Sequence, residues 1–155
     1  MALFVGRHRN RVDKKGRVSV PKPFRAAFAG DDFSGVYVYP LFKFPALEAC
    51  GEAFMERLAE SLDDLPMFSE EQDDLSVILE NAHALPFDPE GRIVLPADLV
   101  NAAGLGGEAM FVGRGQRFQI WEPKAYESVR GPAFERARAR GTTLPLRPRR
   151  PQGEG

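Results

Sequence analysis

Apolar and polar positions follow a strand-like period at both ends of the chain and a helical one between them. Residues 18–20 (Val-Ser-Val) and 93–95 (Ile-Val-Leu) are rich in β-branched side chains and predict short strands, as do 35–39, 109–112 and 117–121. Proline follows the first two runs: Pro21 or Pro23, and Pro96, suit a first helical turn that has no use for their missing donor. Gly30 and Gly104 then suit the left-handed position that ends a short helix. Gly113-Arg114-Gly115-Gln116 predicts a hairpin turn between the last two strands. In the middle, Pro45 opens a pattern of Leu47, Cys50, Phe54, Leu58 and Leu62 that predicts an amphipathic helix, with Glu48, Glu52, Glu56 and Glu60 as its solvated face. Ser69-Glu70-Glu71-Gln72 is a capping-box pattern and predicts a second helix turning Leu75, Ile78 and Leu79 inward.

The two strand-rich ends are copies of one unit. Asp13-Lys14-Lys15-Gly16-Arg17 leads through an apolar run to Pro21, and Asp88-Pro89-Glu90-Gly91-Arg92 leads through another to Pro96, at a constant shift of 75 residues. Asp at the head of a tight turn accepts bonds from backbone N–H groups further on, and Gly supplies a positive φ, so Asp13, Gly16, Asp88 and Gly91 are read as turn-forming. Each copy thus predicts strand, tight turn, strand, short helix. The implied organisation is a first module over 1–46, a helical connecting segment over 47–84, a second module over 85–130 and a flexible Arg/Pro-rich tail over 131–155, expected to be mobile beyond about Gly141.

Charge changes this picture more than composition does. Hydrophobic residues are 43% and charged residues 28%, ordinary for a globular protein, and the net charge of −1 suggests no partner. The charges are segregated, however. Residues 7–25 carry eight Lys or Arg against one acid, a net of +7; residues 48–90 carry thirteen acids against Arg57 alone, a net of −12; the chain from 131 onward carries six Arg against two Glu, a net of +4. Arg9, Arg11, Lys14, Lys15 and Arg17 fall on or within a residue or two of the first turn, and Arg7, in the basic strand ahead of it, is a further DNA-binding candidate. A basic hairpin is the footprint of phosphate binding, and a two-stranded ribbon fits the major groove of double-stranded DNA. Arg17 would there be bidentate to guanine while Lys14 and Lys15 hold phosphates; the alternative for Arg17 is an ion pair with Asp13 that only closes the turn. Arg92 is the second copy's counterpart, in a turn where Glu90 replaces lysine.

Other chemistry finds little support. Cys50 is the single cysteine, which excludes an internal disulfide or a Cys-rich zinc site, and it reads as a small core residue. His8 and His83 lack partners at metal-ligand spacing, and no Ser elbow, P-loop or dinucleotide fingerprint occurs, so neither enzyme nor cofactor is expected. With no membrane-length apolar run and no secretory pattern ahead of Arg7, a cytoplasmic protein is expected.

The doubled Asp-x-x-x-Arg motif, with the strand Phe118-Gln119-Ile120-Trp121 near the end of the second copy, resembles the MraZ family of tandem AbrB-like modules over residues 1–130. The resemblance implies a mostly β protein with helices (α+β), a swapped-hairpin β-barrel in which one chain does the work of two AbrB-type subunits. It implies a repressor of the division and cell-wall gene cluster, nucleoid-associated, that assembles as a ring-like homo-oligomer. Such an assembly would read G-rich promoter repeats with Lys14, Lys15, Arg17 and Arg92. The very basic first strand and the Arg/Pro-rich tail depart from the family pattern. The rival reading is an AbrB-like interaction or antitoxin-type module acting through its acidic helices.

Overall fold

The computed structural model describes residues 3–149. Its elements are β1 (Arg7–Arg11), β2 (Arg17–Ser19), α1 (Lys22–Ala26), β3 (Gly35–Pro40), β4 (Leu47–Cys50), α2 (Glu52–Asp63), α3 (Glu70–Leu75), α4 (Val77–Glu80), β5 (His83–Pro86), β6 (Arg92–Val94), α5 (Ala97–Ala102), β7 (Glu108–Gly113), β8 (Phe118–Trp121), α6 (Pro123–Arg130) and α7 (Ala133–Arg140). The mostly β, α+β expectation holds.

Six strands form one antiparallel sheet in the order β1-β7-β8-β4-β3-β5, and β2 pairs with β6 in a separate two-stranded ribbon. The order is a pseudo-palindrome: exchanging β1 with β5, β7 with β3 and β8 with β4 maps one half onto the other. The hairpins are swapped, because β1 of the first copy pairs with β7 of the second and β5 of the second with β3 of the first. Hydrogen bonding does not run round a closed barrel. At three residues each, β2 and β6 are too short to bridge both sheet edges; the ribbon joins the segment after β1 through the isolated bridge Val12 to Val18 and the bond from Asp13 N to Arg17 O. The ribbon lies instead across one face of the open sheet, with Val18 and Ile93 fully buried beneath it.

The core between ribbon and sheet explains the abundance of Phe. Phe4, Phe24, Phe28, Phe111 and Phe118 pack together there with ring centroids 5.0–6.4 Å apart. On the opposite face α6 covers Met110, Val112 and Trp121 through Ala125 and Tyr126.

The pattern misleads at residues 47–50. They form the central strand β4, buried at every position, and the helix starts only after Gly51. A strand covered on both faces loses alternation, and Leu-Glu-Ala-Cys has no β-branched residue to advertise it. Glu48 therefore leaves the predicted solvated face: it is 7% exposed, accepts from Tyr39 Oη at 2.8 Å and lies 3.1 Å from Arg117 Nε. Cys50 is buried as expected, but in this strand, where burial pushes its thiol up to about 12. Ser69 does cap α3, accepting from Gln72 N at 3.1 Å; the Gln72 side chain reaches Leu62 O at 3.0 Å instead of closing the box. Leu75 and Ile78 are half-buried, whereas Leu79 is exposed, because the helix breaks at Ser76. Part of the expected tail is helical, as α7; from 150 onward the tail lies outside the described residues.

Candidate nucleic-acid interface

Each Asp-x-x-x-Arg turn is closed by its aspartate in the same way. Asp13 Oδ1 accepts from Lys15 N and Arg17 N, both at 2.9 Å, and Oδ2 accepts from Arg17 Nε at 2.6 Å. Asp88 Oδ1 accepts from Glu90 N and Arg92 N at 2.9 Å, and Oδ2 from Arg92 Nε at 2.7 Å. The backbone bond from the arginine N–H leads the causes that hold both carboxyls below the usual aspartate range. Gly16 and Gly91 sit at φ +81° and +79°, and a Cβ on Gly16 would lie 2.5 Å from the Leu95 carbonyl oxygen, so the turn admits only glycine there.

Both arginines make the ion pair with their aspartate and stay partly exposed while doing so. Aspartate holds Nε, which fixes the arginine side chain and leaves the terminal nitrogens out of the aspartate bond. Pairing of β2 with β6 then brings both arginines together: Arg17 is opposite Val94, Val18 opposite Ile93 and Ser19 opposite Arg92. Since side chains alternate, Arg17, Ser19, Arg92 and Val94 share the face away from the core. Arg17 and Arg92 lie on its diagonal, with Cα atoms roughly 7–8 Å apart. Lys14 and Lys15 are exposed beside Arg17. Arg92 is more encumbered, with Glu90 Oε2 at 3.6 Å from its Nη1 and a side chain 29% exposed against 38% for Arg17.

The ribbon recruits a residue that the sequence reading counted only as charge. Arg25 of α1 donates through Nε to Val20 O at 3.0 Å, and its guanidinium packs directly against Gly91, where a Cβ would push it aside. A cation from the first copy thus sits on the second turn, where Glu90 has replaced lysine.

The arginines of β1 are placed elsewhere. His8 and Asn10 face the ribbon side, His8 against the Phe24 ring and Asn10 Nδ2 donating to Ser19 O at 2.6 Å. By alternation Arg7, Arg9 and Arg11 occupy the opposite sheet face. Arg7 lies 5.7 Å over the Tyr126 ring and Arg9 Nη1 is 3.8 Å from Glu108 Oε2; Arg11 is exposed at the strand end nearest the turn. The structure therefore groups Arg17, Lys14, Lys15 and Arg92, adds Arg25, and separates Arg7 and Arg9 from them.

Comparison with known proteins gives this arrangement a lineage. A family model described as "MraZ protein, putative antitoxin-like" matches residues 78–138. A protein of Parvibaculum lavamentivorans named transcriptional regulator MraZ is 45% identical over 156 residues, spanning 96% of both chains. The chain belongs to the MraZ family. Relatives of the same name from Pelagibacter ubique (40% identical, 92% of each chain) and Gluconacetobacter diazotrophicus (42%, 99% of this chain and 98% of the relative) also match over nearly full length. MraZ similarity thus extends over both copies of the turn, and the relatives' names make this a family of transcriptional regulators. Among the described residues, no helix is long and apolar enough to cross a membrane, and no group of three or more His, Cys, Asp or Glu could hold a metal ion.

Proposed function

We propose that this MraZ protein is a sequence-specific double-stranded-DNA-binding repressor of the division and cell-wall gene cluster, acting in the cytoplasm at the nucleoid. The observation that carries the reading is the ribbon: swapped pairing sets Arg17 and Arg92 on one exposed face, each guanidinium oriented through Nε by its own aspartate. A two-stranded ribbon of this kind enters the major groove, where arginine is bidentate to guanine O6 and N7. The ~7–8 Å diagonal is about two base-pair rises, so two arginines read two positions of one short G-rich element. Lys14, Lys15 and Arg25 hold phosphates on either side, and Arg11 extends the basic field at its edge. Arg7 and Arg9, on the other sheet face, add long-range attraction rather than contact. A homo-oligomer, ring-like in arrangement, would line several ribbons along repeated elements and multiply a modest single-ribbon affinity.

The test is gel shift and footprinting on DNA upstream of the gene across a salt series. Wild type should bind with a steep inverse salt dependence. Arg17→Ala should lose about 1–3 kcal/mol per ribbon, roughly 5- to 150-fold, and relax specificity; Arg92→Ala should lose less. Arg17→Ala binding like wild type would reduce the ion pair to a turn closure. Wild type ignoring this DNA at low salt would end the regulator reading.

A further inference from the structure

The ends of α2 and α3 leave an apolar groove open to solvent. It encloses about 690 Å³ and is lined by Leu62, Met67, Phe68 and Leu79, with Asp63 and Asp73 on its rim. Met67 is 76% and Phe68 94% exposed, and Phe68 is the one non-glycine residue at positive φ (+66°) among those described. A bulky residue held in that conformation, with its ring in water, is anomalous for a free surface.

The chain carries a segment of complementary character. Helix α7 exposes Phe134 (67%), with Arg138 5.0 Å over its ring and Arg136 and Arg140 on the same short helix. Beyond it Leu144 and Leu146 are exposed too. Among the described residues, no ion pair joins these arginines to the acids of α2 and α3. The pseudo-palindrome explains the separation: α2 follows β4 as α6 follows β8, so the acidic groove and the basic arm are appended to opposite halves.

We infer that the α7 arm of one copy docks in the α2–α3 groove of a second copy, with Phe134 seated among Leu62, Met67 and Phe68 and its arginines facing Asp63 and Asp73. The mode is an amphipathic helix in an apolar groove, flanked by opposite charge. Because donor and acceptor surfaces differ, the contact is head-to-tail and propagates in one direction until it closes. The inference rests on the self-association part of the proposed function and is independent of DNA binding.

The experiment is light scattering of the full chain, with and without operator DNA. Arg136→Glu/Arg138→Glu should lower the assembly mass towards that of a single chain, and Asp63→Arg/Asp73→Arg should do the same. Both sets combined in one chain, or the two variants mixed, should restore it. All four positions are exposed, and circular dichroism checks that the fold persists. Unchanged mass in the arm variant, a monomeric wild type, or no rescue by charge exchange each overturns the inference. Unchanged mass with a salt slope on DNA shallower by about two would reassign the arm to phosphate contact.

Discussion

Glu48 offers the sharpest test of how this sheet is held together, because its two readings differ in magnitude. On the surface of a helix its replacement would move stability by less than about 0.5 kcal/mol. In β4 its Oε1 takes a hydrogen bond from Tyr39 Oη at 2.8 Å and lies 3.1 Å from Arg117 Nε, on a residue 7% exposed. Glu48→Ala leaves the hydroxyl of Tyr39, itself 3% exposed, without an acceptor, at a cost of about 1–3 kcal/mol. It also removes the partner of Arg117. That side chain is 35% exposed and regains water, so the ion pair adds about 1 kcal/mol and not the full penalty of a buried charge. The expected loss is about 2–4 kcal/mol, or roughly 4–16 °C in Tm for a chain of this size. Tyr39→Phe in the same background should recover part of the loss, since the orphaned hydroxyl goes with it.

The assay is urea unfolding at fixed protein concentration, followed by fluorescence of Trp121. It is the single tryptophan and fully buried, with Nε1 donating to Gln119 Oε1 at 2.9 Å on the same sheet face. A loss below about 0.5 kcal/mol would mean that Glu48 is solvated and that β4 is not the centre of the sheet. Equal losses for Glu48→Ala with and without Tyr39→Phe would remove the hydroxyl from the account.

Two further predictions concern the turns. Asp13 and Asp88 have folded-state pKa values below the unfolded range, so their contribution to stability is present above about pH 4 and is lost as pH falls through the lower folded values. Asp13→Asn/Asp88→Asn should therefore flatten the acid limb of a Tm-against-pH curve below pH 4; an unchanged limb would contradict the turn assignment. Glu90→Lys removes the acid 3.6 Å from Arg92 and restores the charge found at Lys15. Operator affinity should rise and the salt slope steepen by about two charges' worth, and an unchanged slope would place the second turn away from DNA.

How much of this was legible depended on how local the cause was. The Asp-Gly-Arg turn is specified within five residues, and its geometry could be anticipated in both copies. Strand β4 could not: its evidence is coverage on both faces by segments distant in sequence. The swap was equally hidden, since Arg17 meets Val94 and Arg7 meets Val112 across most of the chain. The seat of Arg25 on Gly91 follows only once those partners are known. For the β1 arginines, however, a signal was present and unused. Phe4, His8, Asn10 and Val12 share one parity, and buried Phe4 and Val12 mark it as the core side, which sends Arg7, Arg9 and Arg11 to the other face. Grouping them by nearness to the turn ignored the period of two.

The duplication separates two requirements that a single copy would confuse. Backbone geometry has been kept: the three bonds made by Asp13 and Asp88 agree to within 0.1 Å, and both glycines hold nearly the same φ. Charge has not been kept: Lys15 corresponds to Glu90, and the acidic helices after β4 correspond to the basic ones after β8. Positioning an arginine demands the whole turn, because aspartate, glycine and arginine act on one another within it. Attraction to a polyanion demands only net charge nearby, which Arg25 supplies from another element. The Asp-x-x-x-Arg motif is therefore best understood as a device for aiming, with the surrounding field free to differ between copies. Under the proposed function, the two ends of the ribbon would meet DNA with the same geometry and unequal strength.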